Sequence, residues 1–217
     1  MLFRSDLGVA FDGDADRAMF VAPSGATIDG DAVLLIAGRW LMQTKGATEV
    51  VATVMSNIGL QVALAKHGIS MVRTPVGDKY VLEEMVKRGA HLGGEQSGHI
   101  IFRDYATTGD GLLTALRICQ IMRECAQSLD QLVQELKIFP QILVNVRVAT
   151  RRPLEDLVAV KDQISRAEAE FGDAGRVVVR FSGTEPLARV MVEGPTQDRV
   201  DHWAHAIADA IRAELGS

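Results

Sequence analysis

Strand-like and helix-like segments alternate in the central part of the sequence, and this alternation limits the possible folds more than any other feature. Residues 50–55 are rich in β-branched side chains, as in a buried strand, and residues 58–66 follow as a predicted helix. A strand over 69–73 and a helix over 78–87 repeat the pattern. Parallel strands need crossover connections, which helices supply. The chain is therefore predicted to be α/β, with a mixed, largely parallel sheet.

Further elements are predicted on both sides of this region. The apolar run at residues 7–11 reads as a buried strand, and a second run at 18–22 follows it. Ser128, with Gln131 three residues later, forms a capping box for a short helix that reaches residue 136. The remaining predictions are helices over 32–42 and 111–126 and a strand over 100–102.

Residues 137–140 are predicted to be a domain boundary. Beyond them the predicted order is strand, helix, strand, strand and helix, over 142–148, 154–171, 176–181, 187–193 and 197–215. The last helix places Val200, Trp203 and Ile207 on one face, which suits it to cover a sheet. A smaller C-terminal α+β domain is therefore expected after the larger α/β domain.

The charge and the cysteines narrow the class of protein. The formal net charge of the 217-residue chain is −5, which argues against a nucleic-acid partner and against an anionic membrane partner. No apolar run reaches the roughly 18 residues of a spanning helix, and the first residues show no signal-peptide pattern. Cys119 and Cys125 are poorly spaced for a disulfide or zinc site and read as reduced thiols. A cytoplasmic protein is expected.

An acidic loop, DGDADR at residues 12–17, stands between two strand-like runs. Its three carboxylates alternate along the chain, and oxygen ligands of this kind suit Mg²⁺ or Ca²⁺. An EF-hand is excluded, because Arg17 and Pro23 occupy the positions that need Gly and Glu. A solvated acidic turn remains the alternative. The candidate metal ligands are Asp12, Asp14 and Asp16, and the adjacent Arg17 suits phosphate chemistry.

A second loop, RFSGTEP at residues 180–186, connects two predicted strands. Its glycine lets successive N–H groups point to one spot, hydroxyl groups add donors, and arginines can grip phosphate oxygens. A plain hairpin connection with surface arginines is the alternative. The candidate phosphate-binding residues are Arg180, Ser182, Gly183, Thr184 and Arg189.

A third loop, EQSGH at residues 95–99, combines a carboxylate, a hydroxyl and an imidazole. Glu95 and Ser97 are two apart, so they can face the same side and bind sugar hydroxyls. His99 titrates near neutral pH and could act as a general acid or base. The alternative is an ordinary turn in which the histidine only makes structural hydrogen bonds.

A fourth loop, at residues 74–80, leads from a strand into a helix. Helix N-termini favour anions, so Lys79 could contact a phosphate there. The alternative is a simple helix cap by Asp78 beside a solvated lysine.

Taken together, these loops resemble the α-D-phosphohexomutase superfamily, and most closely its bacterial phosphoglucosamine mutases. The resemblance runs essentially from one end of the chain to the other. The matching segments, in chain order, are DGDADR at 12–17, TVMSN at 53–57, VGDKY at 76–80, GEQSGH at 94–99, TTGDG at 107–111, FPQ at 139–141 and RFSGTEP at 180–186.

The resemblance implies a four-domain enzyme in which each domain contributes one active-site loop. A phosphoserine donates its phosphoryl group to a sugar phosphate. The resulting bisphosphate reorients and returns its other phosphoryl group to the serine. The implied Mg²⁺ ligands are Asp12, Asp14 and Asp16, with Arg17 beside the phosphoserine and with Lys79 and His99 at the reacting centre. The implied sugar contacts are Glu95 and Ser97. The implied binding residues for the phosphate that does not react are Arg180, Ser182, Gly183, Thr184 and Arg189.

The sequence departs from the family pattern in one large respect. The family's phosphorylated serine lies in a Ser-His-Asn-Pro-like segment, which this sequence lacks. We therefore expect the C-terminal half of such an enzyme: the tail of domain two over 1–26, domain three over 27–138 and domain four over 139–217. Its partner would be the N-terminal half with the phosphoserine. The chain alone is expected to be inactive, and the full-length enzyme could be a homodimer.

Three functions remain open at this point. The first is interconversion of glucosamine 6-phosphate and glucosamine 1-phosphate, which feeds UDP-N-acetylglucosamine and cell-wall precursors; Gln96 of the GEQSGH segment and the VGDKY and FPQ segments favour it. The second is phosphomannomutase or phosphoglucomutase activity. The third is a non-catalytic phosphosugar-binding module.

Overall fold

The structure is a computed structural model that describes residues 5–150, 152–182 and 185–216. The chain divides into two units, Met1–Ile138 and Phe139–Ser217. None of the helices within the described ranges is long and apolar enough to cross a membrane.

The first unit begins with a small antiparallel sheet. Its strands are β1 (Gly8–Phe11), β2 (Ala18–Val21) and β3 (Thr27–Ile28), in the order β1-β2-β3. The central strand β2 buries Ala18 and Phe20 completely. The expectation that β1 is a buried strand is wrong: Val9 and Phe11 are 41% and 42% exposed, because β1 is an edge strand paired only with β2.

A four-stranded sheet with helices forms the rest of the first unit. Its strands run in the order β5-β4-β6-β7; β4 pairs in parallel with β5 and β6, and β7 pairs antiparallel with β6. The predicted mixed, largely parallel α/β sheet is confirmed. In chain order the elements are α1 (Gly30–Lys45), β4 (Glu49–Thr53), α2 (Ile58–Ala65), β5 (Ser70–Thr74), α3 (Asp78–Arg88), β6 (Leu92–Gly94), β7 (Ile100–Phe102), α4 (Gly111–Cys125) and α5 (Leu129–Leu132).

Helices cover both faces of this sheet, as the side-chain alternation along β4 requires. Val50 and Ala52 belong to the main core, which contains α1. Val51 points to the opposite face, where Val81 and Met85 of α3 complete a smaller core. Because both faces are covered, the strand is apolar along its length, which made it visible in the sequence.

Capping side chains fix the starts of the helices near the site. Asp29 accepts a hydrogen bond from the Ala32 amide at the start of α1, and Asn57 accepts one from the Gly59 amide at the start of α2. The predicted capping box of Ser128 and Gln131 is present at α5. The carboxyl ends of the parallel strands then lead into the loops that carry the candidate site, as is usual for open α/β sheets.

The second unit is an antiparallel sheet covered by two helices. Its strands are β8 (Gln141–Arg147), β9 (Arg176–Phe181) and β10 (Leu187–Glu193), in the order β8-β10-β9. The helices are α6 (Val158–Phe171), which a short 3-10 turn at Leu154–Asp156 precedes, and α7 (Gln197–Leu215). As predicted, α7 packs Val200, Trp203 and Ile207 into the core of this unit.

Candidate functional site

The acidic loop connects β1 to β2 and brings its three carboxylates together. One ligand oxygen from each of Asp12, Asp14 and Asp16 lies within 4.8 Å of the others. The loop is tight, since the Ala15 amide donates to the Asp12 carbonyl at 3.2 Å and Ala15 adopts a left-handed φ of 59°. This turn lets side chains on alternate residues converge.

Arg17 partly balances the charge of the loop. Its amide donates to Oδ1 of Asp12 at 3.2 Å, and its Nε lies 3.5 Å from Asp12 Oδ2 and 3.7 Å from Asp16 Oδ1. Desolvation acts to raise the pKa of Asp12, but the Arg17 amide, the Asp16 side chain and the Arg17 charge together lower it below its ordinary value. These contacts favour the ionised form of Asp12.

The donor set fits a hard divalent cation. Oδ1 of Asp16 is buried and has no hydrogen-bond donor among the described residues. Three carboxylates so close together repel one another, and a divalent cation removes that repulsion. The cluster Asp12, Asp14 and Asp16 therefore has oxygen ligands close enough together to suit a hard divalent cation.

His99 fastens the acidic loop to the loop that follows β6. Its Nδ1 lies 3.0 Å from Asp16 Oδ2, and its Nε2 accepts a hydrogen bond from the Gly109 amide at 3.0 Å. Because an amide donates to Nε2, the proton of the neutral ring is on Nδ1 and points at Asp16. The ring is buried. The predicted acid or base role would require one of these two bonds to open, whereas the present geometry positions Asp16.

A backbone bridge joins the same two loops. Arg17 and His99 pair as an isolated antiparallel bridge, and the Ala18 amide donates to the Gly98 carbonyl at 3.2 Å. On the other side, the Gly111 amide donates to the Ala15 carbonyl at 2.9 Å. The acidic loop is thus held by the α/β part of the first unit.

A cavity of about 420 Å³ lies where the loops after β4, β5 and β6 meet. Its wall combines apolar, neutral polar and acidic side chains, as in sites that bind small polar ligands. It is lined by Met19, Asp29, Thr53, Met55, Val76, Glu95, Gln96 and Ser97. Of these, the sequence predicted Glu95 and Ser97 as site residues, and the structure places both in one wall.

Glu95 is held in place by backbone and side-chain donors. The Gly77 amide donates to its Oε1 at 3.0 Å, and the Ser97 hydroxyl lies 3.5 Å from its Oε2. Gly77 has a φ of 131°, a conformation that a side chain would strain, so the amide can point at Glu95 only because this residue is glycine. Oε2 of Glu95 can still accept a hydrogen bond from a ligand in the cavity.

Asp29 is a cavity residue that sequence reasoning missed, and Gln96, noted in the sequence only as favouring glucosamine, also lines the cavity. Asp29 Oδ1 accepts the Ala32 amide at 3.1 Å, and its Oδ2 accepts the Gln96 side-chain amide at 3.3 Å. The backbone carbonyl of Gln96 in turn accepts a hydrogen bond from the Gly30 amide at 3.0 Å. The sequence signalled only a helix with an acid at its start; its exposure to the cavity depends on the fold.

A buried acid ties the loop after β4 to α1. Asp31 is completely buried, and its Oδ2 accepts the Asn57 amide at 2.7 Å. Burial raises the pKa of Asp31 to about 6, although the Asn57 amide and the Ser56 side chain act to lower it. Arg73 supports the same loop, because its Nη1 donates to the Ser56 carbonyl at 2.8 Å.

Lys79 lies apart from these groups. Its side chain is 74% exposed, and its Nζ is 3.8 Å from Glu83 Oε1, one turn along α3. It is not one of the residues that line the cavity. The helix begins at Asp78, whose carboxylate accepts the Lys79 amide at 2.8 Å.

The second unit carries the candidate phosphate loop. Arg180 on β9 and Arg189 on β10 are register partners, so their side chains leave the same face of the sheet. Like charges at such positions destabilise a sheet unless an anion neutralises them. Ser182 is buried and its amide donates to the Leu187 carbonyl at 2.8 Å. Gly183 and Thr184, two further predicted residues, lie outside the described residues.

Arg189 forms an ion pair with Glu185 through one nitrogen and has another nitrogen without an acceptor among the described residues. Arg189 Nη2 lies 3.2 Å from Glu185 Oε2. Its Nε is buried and has no hydrogen-bond acceptor within the described part of the chain. A buried guanidinium donor favours an added anionic acceptor.

Two family models match the chain. Phosphoglucomutase/phosphomannomutase, alpha/beta/alpha domain III, matches residues 29–139. Phosphoglucomutase/phosphomannomutase, C-terminal domain, matches residues 143–210.

Similar proteins are mutases of about twice this length. The phosphoglucosamine mutase of Solibacter usitatus is 60% identical over 98% of this chain and 48% of that protein. The phosphoglucosamine mutase of Koribacter versatilis is 54% identical over 98% of this chain and 47% of that protein. The chain therefore spans about half the length of the relatives that it matches.

Solved structures of more distant proteins share the fold. A phosphoglucomutase/phosphomannomutase family protein from Burkholderia thailandensis has a TM-score of 0.75 at 21% identity and covers 97% of this chain and 47% of that chain. Aspergillus fumigatus N-acetylphosphoglucosamine mutase, in complex with GlcNAc-6P and magnesium, has a TM-score of 0.74 at 20% identity. The match covers 94% of this chain and 48% of that chain. At these identities the likeness concerns the fold alone.

Proposed function

The chain belongs to the phosphoglucomutase/phosphomannomutase family, and from this premise we propose that it is the C-terminal portion of a phosphoglucosamine mutase. The reaction would interconvert glucosamine 6-phosphate and glucosamine 1-phosphate through a phosphoserine and a bisphosphate, and so supply UDP-N-acetylglucosamine and cell-wall precursors. The proposal is supported by relatives at 54% and 60% identity that carry this name.

One structural observation carries the proposal: the acidic loop and the cavity loop are fastened together. The Arg17–His99 bridge and the bond between His99 and Asp16 join the three carboxylates to the loop that lines the cavity, which supports a cation and a sugar bound side by side. Phosphoryl transfer to a sugar hydroxyl needs these two features side by side. A structural acidic turn would not need a buried histidine behind its third carboxylate.

In this proposal each group of residues has a defined task. Asp12, Asp14 and Asp16 would hold Mg²⁺, which when bound neutralises negative charge at the transferring phosphoryl group. Arg17 would stabilise the same charge with its half-exposed guanidinium. His99 would keep Asp16 oriented, and Lys79 would contact a phosphate with its exposed ammonium, which lies 3.8 Å from Glu83.

The sugar and the second phosphate have separate binding groups. Glu95 and Ser97 would bind hydroxyl groups of the sugar, since both line the cavity. Arg180 and Arg189 would bind the phosphate that does not react, together with Ser182, Gly183 and Thr184. Two arginines at paired positions of the sheet, and the buried Arg189 Nε without an acceptor among the described residues, support an anion there.

The N-terminal half of the family's polypeptide would be the protein partner. It would supply the phosphoserine. It would also cover β1, where Val9 and Phe11 are exposed on an edge strand. Exposed apolar strand edges attract further pairing. We accordingly assign residues 1–26 to the end of domain two, 27–138 to domain three and 139–217 to domain four, and expect the 217-residue chain alone to be inactive.

Two alternatives make different predictions. A phosphomannomutase or phosphoglucomutase would use the same loops with another hexose. A non-catalytic phosphosugar-binding module would keep the Arg180–Arg189 pair and the cavity without turnover.

A chimera tests the proposal against the non-catalytic alternative. The N-terminal half of the Solibacter usitatus relative would be joined to this chain, and its serine phosphorylation verified by mass spectrometry. With Mg²⁺ present, we expect conversion of glucosamine 6-phosphate to glucosamine 1-phosphate, and no conversion by the 217-residue chain alone. A folded, phosphorylated chimera without turnover would support the binding module.

A further inference from the structure

The described residues that line the cavity of the first unit include two acids and no basic side chain. Asp29 and Glu95 line it with three neutral polar and three apolar residues. Neither carboxylate forms an ion pair with a lysine, arginine or histidine among the described residues. Carboxylates elsewhere in this unit do have such partners, for example Glu84 with Arg88 and Asp104 with Lys45. The cavity is therefore a negatively charged site that lacks its own counter-ion.

The two carboxylates are both anchored through one oxygen. A backbone amide binds Oδ1 of Asp29 and another binds Oε1 of Glu95. The second oxygen of each has only a neutral side-chain donor, Gln96 for Asp29 and Ser97 for Glu95. A carboxylate oxygen accepts about two hydrogen bonds, so each of these oxygens can also accept one from a ligand.

Asp29 has the stronger preference for a cationic ligand. It caps the N-terminus of α1 through Oδ1 alone, so among the described residues its Oδ2 has only the neutral Gln96 side chain as a donor. The buried Asp31, two residues later, adds negative potential to the same helix end, and Arg73, which faces the loop after β4, does not line the cavity. Glu95, by contrast, stands beside the Ser97 hydroxyl, an arrangement that suits sugar hydroxyls, which donate and accept.

We propose that Asp29 is the residue that distinguishes an amino sugar from the corresponding neutral sugar, with its Oδ2 accepting a hydrogen bond from the ammonium group of glucosamine. Gln96 is the positioning residue, because its side-chain amide holds Oδ2 and its carbonyl fixes Gly30 beside Asp29. This inference rests on the proposed function and adds the basis of its selectivity.

Glucose 6-phosphate is the matched ligand for the test, since it carries a hydroxyl in place of the ammonium and the same phosphate. The chain, labelled with ¹⁵N, would be titrated with glucosamine 6-phosphate and with glucose 6-phosphate, and the amide shifts of Ala32, Gly77 and Gln96 followed. We expect the amino sugar to bind about tenfold more tightly, the size of one charge-assisted hydrogen bond in a partly buried site.

The Asp29→Asn variant removes the charge and keeps the fold. Asparagine caps helices as well as aspartate does, so α1 should start normally, which thermal unfolding would verify. We expect the two sugar phosphates to bind this variant within about twofold of each other. The Glu95→Gln variant is the matched control: it should weaken both ligands by similar factors and leave the preference for the amino sugar.

The outcomes separate this inference from the proposed function. If the wild-type chain binds both sugar phosphates equally, or if Asp29→Asn retains the full preference, Asp29 does not read the amino group and the mutase proposal stands. If neither ligand shifts the cavity amides, the cavity does not bind sugar phosphates in the isolated chain and this inference fails; the mutase proposal fails as well if the phosphorylated chimera also binds neither ligand.

Discussion

Single residues of the candidate site have partners that are distant in sequence. Asp16 receives a hydrogen bond from His99, 83 residues later, and Asp31 receives one from the Asn57 amide, 26 residues later. The residue types were visible in the sequence, which predicted Asp12, Asp14 and Asp16 as a cluster. Their surroundings were not, because burial and hydrogen bonding depend on which loops meet after folding. The buried state of His99 is one example, since the sequence equally allowed an exposed acid or base.

Asp31 predicts a pH effect on stability at the residue scale. Burial raises its pKa from the ordinary 3.8 to about 6, so the folded state binds this proton more tightly than the unfolded chain does. That stabilisation is complete below pH 3.8 and is lost as the pH rises through 6. Relative to wild type, Asp31→Asn should therefore gain up to about 3 kcal/mol between pH 4 and pH 7.5.

Urea unfolding of both proteins at these two pH values measures the difference. Asp6→Asn is the control, since Asp6 is exposed and its substitution should give the same small difference at both pH values. If the effect of Asp31→Asn on the free energy of unfolding does not change with pH, burial does not raise the pKa of Asp31.

Secondary-structure elements were predictable where residue chemistry and fold agree. The β-branched runs gave β4 and β5, and the capping side chains gave the starts of α1, α2 and α5. The strand β6 was missed because two of its three residues are glycines, which weaken a strand. The fold requires them: a Cβ on Gly93 would lie 2.5 Å from Met85 Sδ, and one on Gly94 would lie 2.6 Å from the His99 carbonyl oxygen.

The cavity wall was predictable only in part, for the same reason. Glu95 and Ser97 stand in one recognisable segment. Thr53, Met55 and Val76 come from two other loops, and nothing in their local sequence indicates that these loops meet. The register of the parallel strands β4, β5 and β6 brings the three loops together.

Gly30 tests the contact between α1 and the cavity loop at the element scale. A Cβ at this position would overlap the Glu95 carbonyl oxygen, and the Gly98 amide is also close. Gly30→Ala should therefore lower the free energy of unfolding by about 2 kcal/mol and weaken sugar phosphate binding, because the loop must move.

Gly13→Ala is the matched control for this substitution, since no atom lies within 4 Å of a Cβ there. Chemical denaturation should show a stability close to wild type for that variant. A Gly30→Ala variant as stable as wild type would mean that the cavity loop moves freely away from α1.

At the scale of the whole molecule, the chain has a cluster of three carboxylates and a cavity but spans about half the length of its relatives. Under our proposal one oxygen ligand of the metal comes from the phosphoserine of the other half. Mg²⁺ retains much of its water and depends on phosphate oxygens in such sites. The three carboxylates alone should therefore bind it weakly.

Calorimetry on the isolated chain tests this expectation. We expect a Mg²⁺ dissociation constant of about 1 mM or weaker, with the residual heat abolished in Asp14→Asn and unchanged in the exposed control Asp6→Asn. Tight and selective Mg²⁺ binding by the isolated chain would contradict the view that this site is incomplete without the phosphoserine.

The selectivity of the chimeric enzyme tests the central claim most directly. Its kcat/KM would be measured for the 6-phosphates of glucosamine and glucose and for mannose 1-phosphate, with the same enzyme and saturating Mg²⁺. Our account predicts that glucosamine 6-phosphate is preferred over both others by at least about tenfold, the effect of one charge-assisted contact. A preference for the mannose or glucose phosphate would contradict it and identify the chain as part of a mutase for neutral hexoses.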